Sequence, residues 1–534
     1  MKKLGIKLLS LVMTCVLLFS FGCGGKKVDN AVEDTKNLHI VAIERGYGTK
    51  MIDEWIKGFK AVNPGVNVTL KKVVESGQIQ TLFQLGPSHS DYDIFFDISS
   101  IAASYDYGDR NLFPGYEGHA LMSYTDIYNS KVYNENVTLA QKMNPSALEL
   151  MKGMEGDDNY YAFPFAVALQ SIVLNTKVVE EALGSSYKLP NTTDELFAFA
   201  NSIKDAGYTA FAYPGQLDYW KSMFITWWAQ YEGVDNYEMF FKGKVYDETQ
   251  EMYIYSQDIF KQQGRLESLK VMEELLVLEN GLHLANVNDY NANNFTTLQT
   301  AFLHSDAATS NQRKYAMFPN GDWLATESAK GRQVDPIIMM QAPVVSSIKK
   351  KCTTIADDAE LSKLIDAIDA GSTALVGNGY DVNQADYNTV AEARNIVYSQ
   401  MNNHIVFSPV YSNAKTLIKK FLLYIASDEG IQTYYDNVDP GVLPLNYEYP
   451  TTNDAFTNSV VKLYNKRHIA KGYGTMLYCN GVVTATTINS GYYEALMGIS
   501  KTSALYRSAQ QLYEMEFVTE DAFTLSLRNL GLIN

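Results

Sequence analysis

"LHIVAIERGYGTKMIDEWIKGFKAVNPGVNVTLKKV", residues 38–73, sets the fold class. The first seven residues, "LHIVAIE", form a β-rich apolar run, and the turn "RGYG" follows. In the next stretch Ile52, Trp55, Ile56 and Phe59 recur at i, i+3, i+4 and i+7, which predicts a helix with one apolar face. Thr49 stands where an N-cap belongs, and Pro64-Gly65 ends the helix. Val66, Val68 and Leu70 then alternate as in a half-buried strand, and "YDIFFDIS" (92–99) reads as a continuously buried one. Strand, helix, strand and further strand predict an α/β lobe with a largely parallel sheet.

A second layer with the same grammar begins at "YYAFPFAVALQSIVLN" (160–175). In "LPNTTDELFAFANSIKDAGYTAFAY" (189–213) Thr192 and Glu195 predict a capping box, and Leu196, Ala200 and Ile203 the buried stripe. Gly207 is the stop, and a strand follows. Residues 217–331 read as mostly helical and aromatic-rich, and "DPIIMMQAPVV" (335–345) returns to strand. Two helices are expected across 357–371 and 388–402, then a strand at "HIVFSPV" (404–410). The most periodic helix follows Ser412, with Ala414, Leu417, Ile418, Phe421, Leu422 and Ile425 on one face before "SDEG" closes it. No internal repeat of fixed length is visible.

The N-terminus carries Lys2, Lys3 and Lys7, an apolar stretch from Leu8 to Phe21, and small residues at Gly22 to Gly25. This is the pattern of a secretory signal, too short for a spanning helix. The 534 residues, 46% of them hydrophobic, suffice for two or more lobes. The formal charge is −16; without residues 1–22 and their three lysines it becomes −16 − 3 = −19, which argues against a nucleic-acid partner. Four cysteines do not make a disulfide scaffold, and whether Cys352 and Cys479 pair is not readable from spacing.

Cys23, directly after Gly22, resembles the acylated cysteine of a bacterial lipobox, with Ser20 and Phe21 where Leu and a small residue are usual. On that reading residues 1–22 are a lipoprotein signal peptide, Cys15 is discarded with it, and 23–37 form a flexible tether. Together with "FKAVNPGVNVTL" (59–70), "DIFF" (93–96), "YAFPFAVALQSIVLN" (161–175), "LPNTTDELFAFANSIKDAG" (189–207), "KYAMFPNGDWL" (314–324), "SNAKTLIKKFLLYIASDEG" (412–430) and "GVLPLN" (441–446), this start resembles the maltose-binding-like (family 1) extracellular solute-binding lipoproteins. The resemblance runs in order over residues 38–446. It implies a two-lobed α/β periplasmic-binding-protein-like fold with a hinge and an interlobe ligand cleft. It further implies a small-molecule solute, foremost a sugar, handed to the transmembrane subunits of an ABC importer by a lipid-anchored, extracytoplasmic monomer. The expected division is 38–165 with 345–430 as lobe 1, and 166–344 with 431–534 as lobe 2. Residues 352–403 and much of 446–534 have no counterpart in the resemblance.

Sugars present an apolar ring face and a rim of hydroxyls, so their binders pair aromatic plates with carboxylates and amides. The resemblance points to Trp323 as the plate, with Asp322 beside it as an acceptor. Trp220, Phe224 and Trp227 are spaced by four and three along one helix face, which suits core packing or a ligand-facing wall, and Trp228 adjoins them. Trp55, on the apolar stripe, is expected in the core. In the first lobe Glu44 and Tyr47 follow a strand C-terminus, where α/β folds bind ligands, and Asp97 ends "DIFFD" at a comparable place. Tyr380, with Gly377 and Gly379, is a further cleft candidate. The seven histidines are scattered with no HExxH; CxxC, P-loop and GxSxG are absent, so neither a cofactor nor a metal nor a catalytic residue is expected. The alternatives are a binding lipoprotein for a peptide or metal chelate, and a secreted glycoside hydrolase, whose paired carboxylates come from distant segments.

Overall fold

The computed structural model describes residues 32–98, 120–151, 158–212, 219–277, 295–328, 334–372, 382–470 and 499–515, with 112, 113, 116, 496, 517, 519–529 and 533. In chain order the strands are β1 (Asn37–Ile43), β2 (Asn67–Val73), β3 (Ile94–Asp97), β4 (Phe163–Pro164), β5 (Leu169–Asn175), β6 (Thr209–Phe211), β7 (Lys244–Asp247), β8 (Met252–Tyr255), β9 (Tyr315–Gly321), β10 (Ile337–Met340), β11 (Ile396–Ser399), β12 (Ile405–Phe407) and β13 (Arg467–Ile469). They form two sheets and a separate hairpin, β7–β8.

The first sheet has the order β2-β1-β3-β12-β4. β1 runs parallel to β2 and β3, as the opening stretch predicts, and β12 closes the sheet antiparallel to both β3 and β4. The helix Lys50–Val62 buries Met51, Ile52, Trp55 and Phe59. Thr49 precedes it, but its hydroxyl makes no cap and instead reaches Glu44 Oε1 at 3.4 Å. Trp55 is core: its indole N–H donates to the Gly430 carbonyl at 2.8 Å and its ring stacks on Tyr434 at 5.5 Å. That contact fixes the helix Asp428–Asn437 to the first lobe.

The second sheet has the order β13-β11-β5-β9-β6, with β10 also on β5. β5 is buried along its whole length and is antiparallel to β9, β10 and β11. The described residues of 217–331 are mostly helical, as expected, with β9 and the hairpin as the exceptions. A short apolar run interrupted by Pro319 has no clear period. The proline is tolerated because β6 pairs only with Tyr315 and Met317, so none of those bonds is interrupted at 319. Thr192 caps its helix through the Glu195 N–H at 3.1 Å, while the Glu195 side chain accepts from Asn191 N, one residue earlier than a capping box requires.

The chain passes between the lobes at 165–168, at 400–404 and between Asn437 and Ala455. This moves the expected division. Residues from Val344 to Ser399 belong to the second lobe, not the first: Val344, Val345, Ile348, Leu361 and Val390 enter its apolar core, and β11 pairs with both β5 and β13. The first lobe regains the chain only at β12. The helix Asp428–Asn437 also stays with the first lobe, so the return lies beyond residue 431. Cys352, half-buried in the second lobe, forms no disulfide among the described residues.

Trp55 fills a site with no solvent exposure, so Trp55→Ala leaves a cavity and an unpaired Gly430 carbonyl. The expected cost is about 3–5 kcal/mol, read as a lowered urea midpoint by far-ultraviolet circular dichroism.

Candidate ligand site at the lobe junction

Two crossings lie side by side and are bonded to each other. Phe165 N donates to His404 O at 3.0 Å, and Gln400 N donates to Ala168 O at 2.8 Å. Val167 N donates to Val442 O at 3.1 Å, adding the stretch between Asn437 and Ala455. Against this belt each lobe delivers a strand end. From the first comes Tyr47, in a turn whose flanking Gly46 and Gly48 adopt φ +60° and +72°, which only glycine adopts freely. From the second come Asp322 and Trp323, directly after β9.

Asp322 is 1% exposed. Its Oδ2 accepts from Leu169 N at 3.3 Å, its own N–H donates to Leu169 O at 3.0 Å, and its Oδ1 accepts a short hydrogen bond from the Tyr47 hydroxyl. Burial pushes its carboxyl up to about 7, against the pull of these donors. Burial likewise holds the Tyr47 phenol well above its ordinary range, with the Asp322 charge acting the same way. His404 is 5% exposed, its Nδ1 lies 3.1 Å from Gln400 O, and burial lowers it to about 4, so the imidazole is neutral.

The rings pack around this carboxylate. Trp323 stacks on His404 at 5.8 Å and 27°, and Tyr47 stands edge-on to Trp323 at 6.3 Å and to His404 at 5.4 Å. A Cβ at Gly321 would collide with the Trp323 indole, so that residue must be glycine for the ring to fold back over the strand. Beside the Trp323 ring, Tyr219 accepts a hydrogen bond from Trp323, and Gln299 Nε2 reaches Tyr219 at 3.4 Å and Glu327 at 3.2 Å. Burial raises the Glu327 carboxyl; Gln299 and then Arg45, reaching from the opposite lobe, pull it back.

Of the residues expected from the sequence, Trp323, Asp322 and Tyr47 come together here. Asp97 is buried one ladder position from His404, paired with Ile405, and its carboxylate accepts from Ile98 N at 2.9 Å. Glu44 is exposed, on the solvent side of the Tyr47 turn. Trp220, Trp227 and Trp228 are corrected: all three lie in the second lobe's core. Trp227 donates to Pro343 O at 3.1 Å and Trp228 to Gln262 Oε1 at 2.9 Å, while Trp220 packs on Phe211 at 5.2 Å. Their helix, Trp220–Glu232, is buried on every side, so its spacing singles out no ligand face. Cys23, Tyr380, Gly377, Gly379 and Cys479 lie outside the described residues. His404, Phe165, Tyr219 and Glu327 were not anticipated. A lone histidine ahead of an apolar run carries no signal until the crossings are seen side by side.

No protein-family model matches the chain, and no curated protein matches it. Solved structures share its fold. The apo form of RafE from Streptococcus pneumoniae superposes with a TM-score of 0.54 at 13% identity, over 90% of this chain and 97% of that one. The bacterial solute receptor AcbH, described as exclusively preferring β-D-galactopyranose, gives 0.55 at 12% identity over 92% and 99%. The substrate-binding protein Lmo0181 from Listeria monocytogenes, in complex with cycloalternan, gives 0.52 at 11% identity over 93% and 100%. The chain therefore has the two-lobed architecture of solute-binding proteins.

A carboxyl raised by folding stabilises the fold while protonated, and the gain is lost as pH rises through its folded value. The stability of the natural protein relative to Asp322→Asn should therefore fall between about pH 4, the unfolded value, and about pH 7, by on the order of a few kcal/mol. His404 is common to both proteins and cancels. Urea unfolding of the pair at a series of pH values measures the difference.

Proposed function

We propose that this protein is the solute-capturing component of an ABC importer for a mono- or oligosaccharide, held outside the cytoplasm by a lipid on Cys23. The observation that carries the carbohydrate reading is the pairing of the Trp323 indole with the buried Asp322 acceptor at the point where the lobes meet. An aromatic face beside a hydrogen-bonding oxygen complements a pyranose, which has an apolar face and hydroxyls at its edge. The fold supports the same reading, since proteins of this architecture include RafE in complex with raffinose and the receptors above.

The junction suggests how capture proceeds. Opening draws Tyr47 away from Asp322, because the two sit on different lobes. A sugar hydroxyl then takes the place of the phenol on the carboxylate, its ring lies on Trp323, and Tyr47, Arg45 and Glu327 line the closing walls. A ligand touching both walls binds the closed arrangement more tightly and so shifts the population toward it. The importer's transmembrane subunits would receive that arrangement, and a monomer suffices for it.

Calorimetric titration with a panel of neutral mono- and oligosaccharides tests the reading. At least one should bind, and Trp323→Ala should weaken it roughly tenfold to a thousandfold, each ~1.4 kcal/mol being a factor of ten. The unliganded midpoint should move less than for Trp55→Ala. A panel with no binder, or an affinity indifferent to Trp323, would place the function elsewhere.

The anchor has its own test, which is independent of the ligand. Cys23→Ser should release the protein into the medium, whereas Cys15→Ser should leave it on the membrane, as fractionation and immunoblotting would record.

A further inference from the structure

A second cleft, of about 730 Å3, opens on the second lobe, and none of its lining residues belongs to the junction. That volume lies within the range of small-molecule sites, roughly 300–1,000 Å3. One wall is strand β10, with Ile338 half-buried and Met339 and Met340 buried; the other is the C-terminal half of the helix Ala455–Tyr464, with Lys462, Leu463 and, just beyond, Lys466.

The charges do not balance. Arg394 is held by Asp369, its Nε at 3.0 and 3.1 Å from the two carboxylate oxygens and its Nη2 at 2.6 Å from Oδ2, and its Nη1 also donates to Ala342 O at 3.2 Å. That pair is closed on itself. Lys462 lies in the last turn of the helix and Lys466 two residues past its end, and neither ammonium has a hydrogen bond or ion pair among the described residues. Three cations against one carboxylate leave +3 − 1 = +2 around the opening. A cation at a helix C-terminus is favourable in itself, which accounts for the exposed Lys462. It does not account for Lys466, half-buried beyond the helix end, whose ammonium burial lowers while Asp369 pulls only partly back. Asp369, which is also the partner of Arg394, compensates this half-buried cation only in part.

We propose that this cleft is a second ligand site, taking a small amphipathic molecule whose anionic head sits between Lys462 and Lys466 and whose apolar body lies on Ile338, Met339 and Leu463. A peptide adding to the strand edge fits less well. Ser459 Oγ already takes the Met339 N–H at 2.8 Å, and the Gln341 side chain bonds the Arg394 carbonyl, so the edge is not free to pair. Two lysines without a bidentate fork suit a carboxylate or a phosphate alike.

The test is calorimetry on the full-length protein with octanoate, octyl phosphate, 1-octanol and inorganic sulfate. One or both amphipathic anions should bind at one site per chain, the tighter of the two naming the head group. Octanol and sulfate should bind at least tenfold more weakly, since each lacks half of what the cleft offers. Lys462→Met with Lys466→Met should weaken the anion at least tenfold without lowering the melting temperature. Lys462→Gln with Lys466→Gln serves as a second pair should the first fold poorly. Trp323→Ala should leave this binding unchanged, which separates the outcome from that of the carbohydrate reading. The proposal is overturned if neither anion binds, if octanol binds as tightly, or if the lysine variants bind the anion as the natural protein does.

Discussion

A carboxylate withdrawn from water, that of Asp322, holds the two lobes in register. Removing such a group from solvent is costly unless donors surround it. Here the donors come from different lobes: the Leu169 amide from the start of β5 in the second, the Tyr47 hydroxyl from the first. Satisfying one side chain therefore requires both lobes to be in place. Were the lobes to part, that carboxyl group would lose the Tyr47 hydroxyl and keep only the Leu169 amide.

The chemistry of the junction is more neutral than its residue types suggest. Burial moves Asp322 up to about 7 and His404 down to about 4, so near neutral pH the imidazole is uncharged and the carboxyl carries only part of its charge. What the site presents is a set of acceptors, donors and ring faces, with the Arg45 and Glu327 attraction at its side. The overall −16 of the chain thus says little about the site itself, just as it hides the local excess of lysines beside β10.

Much of this was legible before any coordinates. The parallel β1–β2–β3 core followed from period and punctuation in residues 38–99, and Asp322, Trp323 and Tyr47 followed from strand ends and family resemblance. The three tryptophans of Trp220–Glu232 did not, because a helix enclosed on all sides carries aromatic residues at ligand-like spacing for packing reasons alone. The lobe boundary failed for a different reason. The sequence predicts a helix across 388–402, but that helix ends at Asn395 and Ile396–Ser399 is β11, whose sheet only the pairing of Tyr398 with Gln170 reveals. His404 depends on the same non-local fact. Pattern along the chain reports burial well and neighbours poorly.

The paired crossings also carry a mechanical meaning. Phe165 and His404 are tied by one bond and Ala168 and Gln400 by another, so the two ribbons are joined to each other at both ends. Ala168, buried at φ +51°, holds a backbone state that costs an L-residue about 1–2 kcal/mol. Two segments bonded side by side leave fewer independent backbone torsions between the lobes than two unbonded ones would.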